Sequence, residues 1–236
     1  MGESVDFIKD RAGKTIAAAK QAQISAGWVF QEKTIPQMEA MLKGIVGDST
    51  ATPPLAGQEE VAQTAQSAME SARGIWDAQL DVLHRYTAQG VGMAKNKSRN
   101  DPSKQALLKG LTARGTSRPE ILTEALAWET AWNKLDPAWA PLPANTLVLF
   151  SALRKNCLET LQKNYLDALS EWREKAETLA MLARDMEDVN EAWYADATRV
   201  FPVGTPEGDM IRSTVPTTYN PPPPPAAPPT PPPPGP

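Results

Sequence analysis

From Asn145 to Phe201 the chain runs for 57 residues without a glycine or a proline. Apolar residues recur through this stretch at steps of three or four, from Leu147, Phe150 and Leu153 to Trp193, Ala197 and Val200. The one exception is the doublet Cys157-Leu158. Such spacing is a heptad-like seam, and it predicts a single α-helix of about 85 Å at 1.5 Å per residue. A tight helical hairpin hidden near Glu174–Thr178, where charge is densest, is the alternative. The absence of any turn residue favours one helix. Charges off the seam, among them Arg154, Glu159, Lys163, Asp167 and Glu171, suit a solvated face.

The rest of the chain reads as helical too, with no sustained period-two alternation to mark strands. A first segment spans about Ser4 to Gly44. Pro36 interrupts it, either as a kink or as the first turn of a new helix. Residues 47–54 form a loop by composition. A second helix spans about Gly57 to Gln89, with a stripe from Val61 to Tyr86 that includes Trp76 and Leu80. Residues 90–118 read as a loop holding one short helix from Pro102 to Leu111, with Asp101 as N-cap. A third helix runs from Arg118 to Leu135, opened by Ser117, Pro119 and Glu120 and closed by Asp136-Pro137. One turn of helix or an extended strap is expected between Asp209 and Val215.

The sequence therefore points to an all-α fold: an elongated antiparallel helical bundle with one very long C-terminal helix. Of the 23 prolines, 12 fall in residues 221–236, an uncharged tract with no aliphatic side chain larger than alanine. By composition it is a polyproline II arm. The expected divisions are an N-terminal helical half (1–118), a C-terminal half (119–215) and the arm (216–236). Asp101-Pro102 before Leu108 loosely echoes Thr205-Pro206 before Ile211, so the two halves are candidates for an internal repeat.

Net charge is −4, but residues 91–118 carry seven cations against Asp101. These are Lys95, Lys97, Arg99, Lys104, Lys109, Arg114 and Arg118. The segment could dock phosphates or the acidic flank of a neighbouring subunit, or be a solvated loop. Acidic flanks on both sides disfavour wrapping of nucleic acid. No leader of basic then apolar residues opens the chain, and no window approaches a membrane span. A cytoplasmic protein is the default expectation, and a part of an exported or particle-like assembly would look the same.

Little in the chain suggests chemistry. One His and one Cys leave no disulfide framework and few routes to a metal site. Gly13-Lys14-Thr15 resembles the end of a phosphate-binding loop but lacks its first glycine and a preceding strand. His84 follows Asp81 by one turn, a possible carboxylate–imidazole pair. There is no Glu-x-x-His, so a carboxylate-bridged dimetal bundle is not expected. Cys157 lies on the seam and reads as a buried small hydrophobe. No catalytic residue, cofactor or metal ligand is assigned.

Seven tryptophans stand beside four phenylalanines and four tyrosines. They serve as core anchors between helices or as interface hot spots. Trp139, in the proline-rich link after Asp136, is the leading interface candidate, with Trp132 and Trp128 one and two turns before that link. Tyr219, Pro221, Pro225, Pro231 and Pro234 are the candidates on the arm. The expected function is structural: a subunit that associates with itself or with protein partners. The alternative is a monomeric adaptor presenting the proline tract to a proline-recognition domain.

Overall fold

The computed structural model describes residues 4–141 and 146–215. The fold is all-α apart from one two-residue bridge. Its helices are α1 (Val5–Ala26), α2 (Ile35–Val46), α3 (Gln58–Lys97), α4 (Pro102–Leu108), α5 (Arg118–Leu135), α6 (Leu147–Lys155), α7 (Gln162–Val200) and α8 (Pro206–Arg212). A π-helical turn, Asn156–Leu161, joins α6 to α7 without a break. Strands β1 (Gly47–Asp48) and β2 (Leu55–Ala56) pair antiparallel.

The helix boundaries follow local chemistry. Ser4 Oγ accepts the Phe7 N–H at 3.3 Å and starts α1. Gly27, at φ +66°, ends it in the left-handed conformation and donates its N–H to the Gln23 carbonyl. The first segment thus stops ten residues earlier than a helix running to Pro36 or beyond would. Thr34 and Gln37 form a capping box that begins α2, with Pro36 in its first turn. The Pro36 restart is the reading that holds. Asp101 caps α4 as expected, accepting the Ser103 and Lys104 N–H groups. Helix α5 has the boundaries its sequence announces.

The long C-terminal stretch is helical from Leu147 to Val200, and no hairpin interrupts it at Glu174–Thr178. The Cys157-Leu158 doublet falls inside the π turn, where the Gln162 N–H bonds the Cys157 carbonyl. A π turn admits one extra residue, so the seam keeps facing one side despite the doublet. Cys157 is fully buried there, and burial pushes its thiol up to about 11.

The chain divides into two compact units. Of the described residues, one comprises 4–57 and 180–215, the other 58–141 and 146–179. The division at 118 suggested by the sequence falls inside the second unit, because α3 and α5 share one core. That core joins Trp76, Leu80 and Leu83 of α3 to Ile121, Trp128 and Trp132 of α5, and to Phe150 and Cys157. The Trp128 and Trp132 rings stack at 5.2 Å, and Phe150 tilts against Trp132 at 5.9 Å. Glu129 of α5 receives Arg154 and Ser151 from α6. Burial resists its charge, but those donors hold its carboxyl below the ordinary range.

The other unit gathers Ile16, Ala19 and Ala22 of α1, Phe30, Met38, Trp193, Phe201 and Ile211. Trp28 meets Trp193 and Phe201 edge-on at 6.3 and 5.8 Å. Helices α4 and α8 each follow a long helix, each start with proline and each bury one aliphatic side chain, Leu108 or Ile211.

Candidate interaction site around Trp139

The expected loop over 90–118 is helical for its first part. Helix α3 continues through Gly90 and Gly92 to Lys97, so Lys95 and Lys97 sit on its last turn. The chain then turns through 98–100 into the Asp101 cap. On the other side, α5 ends at Leu135, and the turn after it is closed by Trp139 N–H to the Asp136 carbonyl at 3.1 Å. Asp136 Oδ1 accepts the Ala138 N–H within the same turn.

Trp139 is half-buried and is held from below. The Trp132 indole N–H donates to the Trp139 carbonyl at 2.8 Å, and the two rings meet edge-on at 6.4 Å. The Lys97 ammonium lies 4.6 Å from the Trp139 ring centroid, a cation–π contact. Between these elements opens a cleft of about 230 Å³, lined by Lys97, Asn100, Lys104, Leu135, Asp136 and Trp139 among others.

The structure separates the expected interface residues. Trp128 and Trp132 are fully buried, so neither offers a surface to a partner. They stack together in the core, and Trp132 positions Trp139. Only Trp139 of the three is accessible. Tyr219, Pro221, Pro225, Pro231 and Pro234 lie outside the described residues.

The seven cations do not form one free patch. Arg118 binds Asp77 through two N–H donors at 2.6 and 2.9 Å and stacks over Trp76 and Tyr165. It is a structural residue, and its hydrogen bonds hold the Asp77 carboxyl below the ordinary range. Lys95 donates to the Leu111 carbonyl. Lys104 pairs with Asp101 at 3.4 Å. Arg99, Lys109 and Arg114 have no ion pair among the described residues.

Nor is 112–117 a free loop. Glu124 accepts the Thr112 hydroxyl and the Arg114 and Gly115 N–H groups, while Glu120 accepts the Thr116 and Ser117 N–H groups. Both carboxyls sit below their ordinary range for this reason, Glu124 against the opposing effect of burial. Glu120 was legible as the third residue of a capping box. Glu124 and Asp77 carried no local signal, since their partners lie 9–12 and 41 residues away.

His84 makes no hydrogen bond to Asp81, and its Nδ1 is buried without a partner among the described residues. No cluster of three potential metal ligands occurs among the described residues. No described helix is long and apolar enough to cross a membrane. No family model, curated protein or solved structure matches the chain.

Proposed function

We propose that the chain is a structural or assembly protein, a helical-bundle subunit that associates with copies of itself. The bundle arrangement expected from the sequence belongs to this proposal, and no catalytic role is assigned in it. The observation that supports it is the incomplete burial of the long seam. Within the second unit, no side chain of the helix between Leu161 and Leu179 is fully buried; Tyr165 packs on Trp76, but the seam continues uncovered through Leu169, Trp172, Ala176 and Leu179. Beside it, Leu166 is 49% exposed. A heptad seam left half-open over about three turns is a surface to which a second helix can add, with Trp172 as an aromatic anchor.

Sedimentation velocity of the full chain across micromolar concentrations tests this. Association is expected, and Trp172→Glu or Leu179→Glu should reduce it while far-UV dichroism stays unchanged. Apolar association should also persist in roughly 1 M salt, where charges are screened beyond about 3 Å. A wild-type chain that sediments as a monomer throughout the range would sink the proposal.

A further inference from the structure

We infer that the cleft beside Trp139 receives the proline tract, residues 221–236, of a second copy of this chain. The inference rests on the assembly reading above and names one of its contacts.

The chemistry of the cleft selects its occupant. Asp101 is occupied within its own turn: its Oδ1 takes the Ser103 hydroxyl and the Ser103 and Lys104 N–H groups, and its Oδ2 pairs with Lys104. Asp136 Oδ1 takes the Ala138 N–H. Two donors beside Trp139 are left over: among the described residues Lys97 has no carboxylate partner and the Asn100 amide has no hydrogen bond. An occupant should therefore bring acceptors to Lys97 and Asn100. It should also bring apolar rings or edges for Trp139 and Leu135.

Charge narrows the choice further. Lys97 and Lys104 face Asp101 and Asp136 around the same opening, so the cleft exerts no net pull on an anion or a cation. An acidic peptide would supply acceptors but would meet both aspartates. A neutral, acceptor-rich, donor-poor segment fits. Proline supplies a carbonyl and a ring and has no backbone N–H. In residues 221–236 only Ala226, Ala227, Thr230 and Gly235 carry a backbone N–H, and no side chain is charged. Aromatic rings with adjacent donors are the general solution for binding such segments. The volume suits a short stretch of peptide, being smaller than the roughly 300–1,000 Å³ of a pocket that engulfs a small molecule.

The test is fluorescence anisotropy of a labelled synthetic peptide of residues 216–236, titrated with the full chain. Saturable binding is expected. Trp139→Ala should weaken it by about tenfold or more, as loss of an aromatic anchor does. Asn100→Asp, at an exposed position, removes a donor without touching the core and should weaken it in the same direction, so the idea stays testable if Trp139→Ala unfolds. Lys109→Glu, outside the cleft, should leave binding unchanged. A peptide with Pro221, Pro225, Pro231 and Pro234 changed to alanine should bind less tightly. Equal binding to wild type and Asn100→Asp, or none to wild type while the chain still self-associates, would overturn the cleft assignment and leave the assembly reading standing. A chain that is monomeric at every concentration would overturn that reading and the second copy as the source of the tract.

Discussion

Glycine 90 offers a test in which local propensity and packing demand opposite signs. Glycine inside a helix is less stable than alanine by about 0.5–1 kcal/mol, so Gly→Ala in α3 should by propensity stabilise the chain. At Gly90 an added Cβ would lie 2.7 Å from Trp128 Cε2 and Nε1 and 2.8 Å from Cζ2. The indole has nowhere to retreat, because it is fully buried and stacked on Trp132, itself fully buried against Phe150. Overpacking of this kind costs about 1–3 kcal/mol, and three simultaneous contacts with a rigid ring belong at the upper end. After the propensity gain, Gly90→Ala should destabilise by about 1–2 kcal/mol. The controls lie in the same helix: at Gly74 and Gly92 an added Cβ meets nothing within 4 Å. Those two substitutions should stabilise by about 0.5–1 kcal/mol. Urea denaturation of the three variants measures the signs directly. In thermal melts each kcal/mol moves the midpoint by roughly 2–4 °C for a chain of this size. A Gly90→Ala variant as stable as Gly92→Ala would refute the reasoning, because it would mean that Trp128 does not lie against α3 as described.

Two further substitutions probe polar groups. Arg118→Met should cost about 1–2 kcal/mol at neutral pH, from a half-exposed ion pair and the cation–π contacts to Trp76 and Tyr165. Because Asp77 is held below its ordinary range, its share of that stability is complete above the unfolded carboxyl value near pH 4. It is lost as the pH falls through the lower folded value, so the gap in urea midpoint between wild type and variant should narrow below about pH 4. A gap that does not change down to pH 2 would exclude Asp77 as the partner that matters. Asn190 is fully buried, and neither its Oδ1 nor its Nδ2 has a hydrogen-bond partner among the described residues. Asn190→Leu keeps the side-chain size and removes that penalty, and should raise stability by roughly 1–2 kcal/mol in the same urea assay. A loss of more than about 1 kcal/mol would show that the amide is hydrogen-bonded in solution.

What the sequence could disclose was whatever is decided within about four residues. Ser117, Glu120 and Asp136 bracket α5 because capping and proline exclusion are local. Asp101-Pro102 marks α4 for the same reason. The Cys157-Leu158 doublet was a visible flaw in the seam, and its resolution as a π turn is the conformation that absorbs one residue. Misreadings arose where tertiary contacts outweighed local preference. Gly90 looked like the end of α3, yet its missing Cβ is what admits Trp128, and burial of that ring carries the helix on to Lys97. The first segment was read as running on toward Pro36, but Gly27 ends α1, and Trp28 and Phe30 turn inward from the connection that follows. The pairing of Arg118 with Asp77 and the capture of 112–115 by Glu124 depend on the approach of α3 and α5, which no local spacing encodes.

The same distinction decides which surface to rank first for association. Counted along the chain, residues 91–118 look like a cationic docking strip. Folded, the strip is crossed by carboxylates from outside it, Asp77, Glu120 and Glu124, and its Arg118 and Lys104 are engaged. Of the other five, Lys95 bonds a carbonyl and Lys97 lies over Trp139, and the remaining three, on a chain of net charge −4, give weak steering that is lost to salt. The tryptophans sort in the opposite direction. Trp76, Trp128, Trp132 and Trp193 are buried, which is what a core anchor should be. Trp28, Trp139 and Trp172 are half-buried; Trp28 packs on Trp193 and Phe201, while Trp139 lies beside a cleft and Trp172 along an under-covered seam. An aromatic side chain leaves a large apolar face in water unless something covers it. One such face lies in the turn after α5 and the other on α7, so the assembly proposed above rests on apolar contacts rather than on charge.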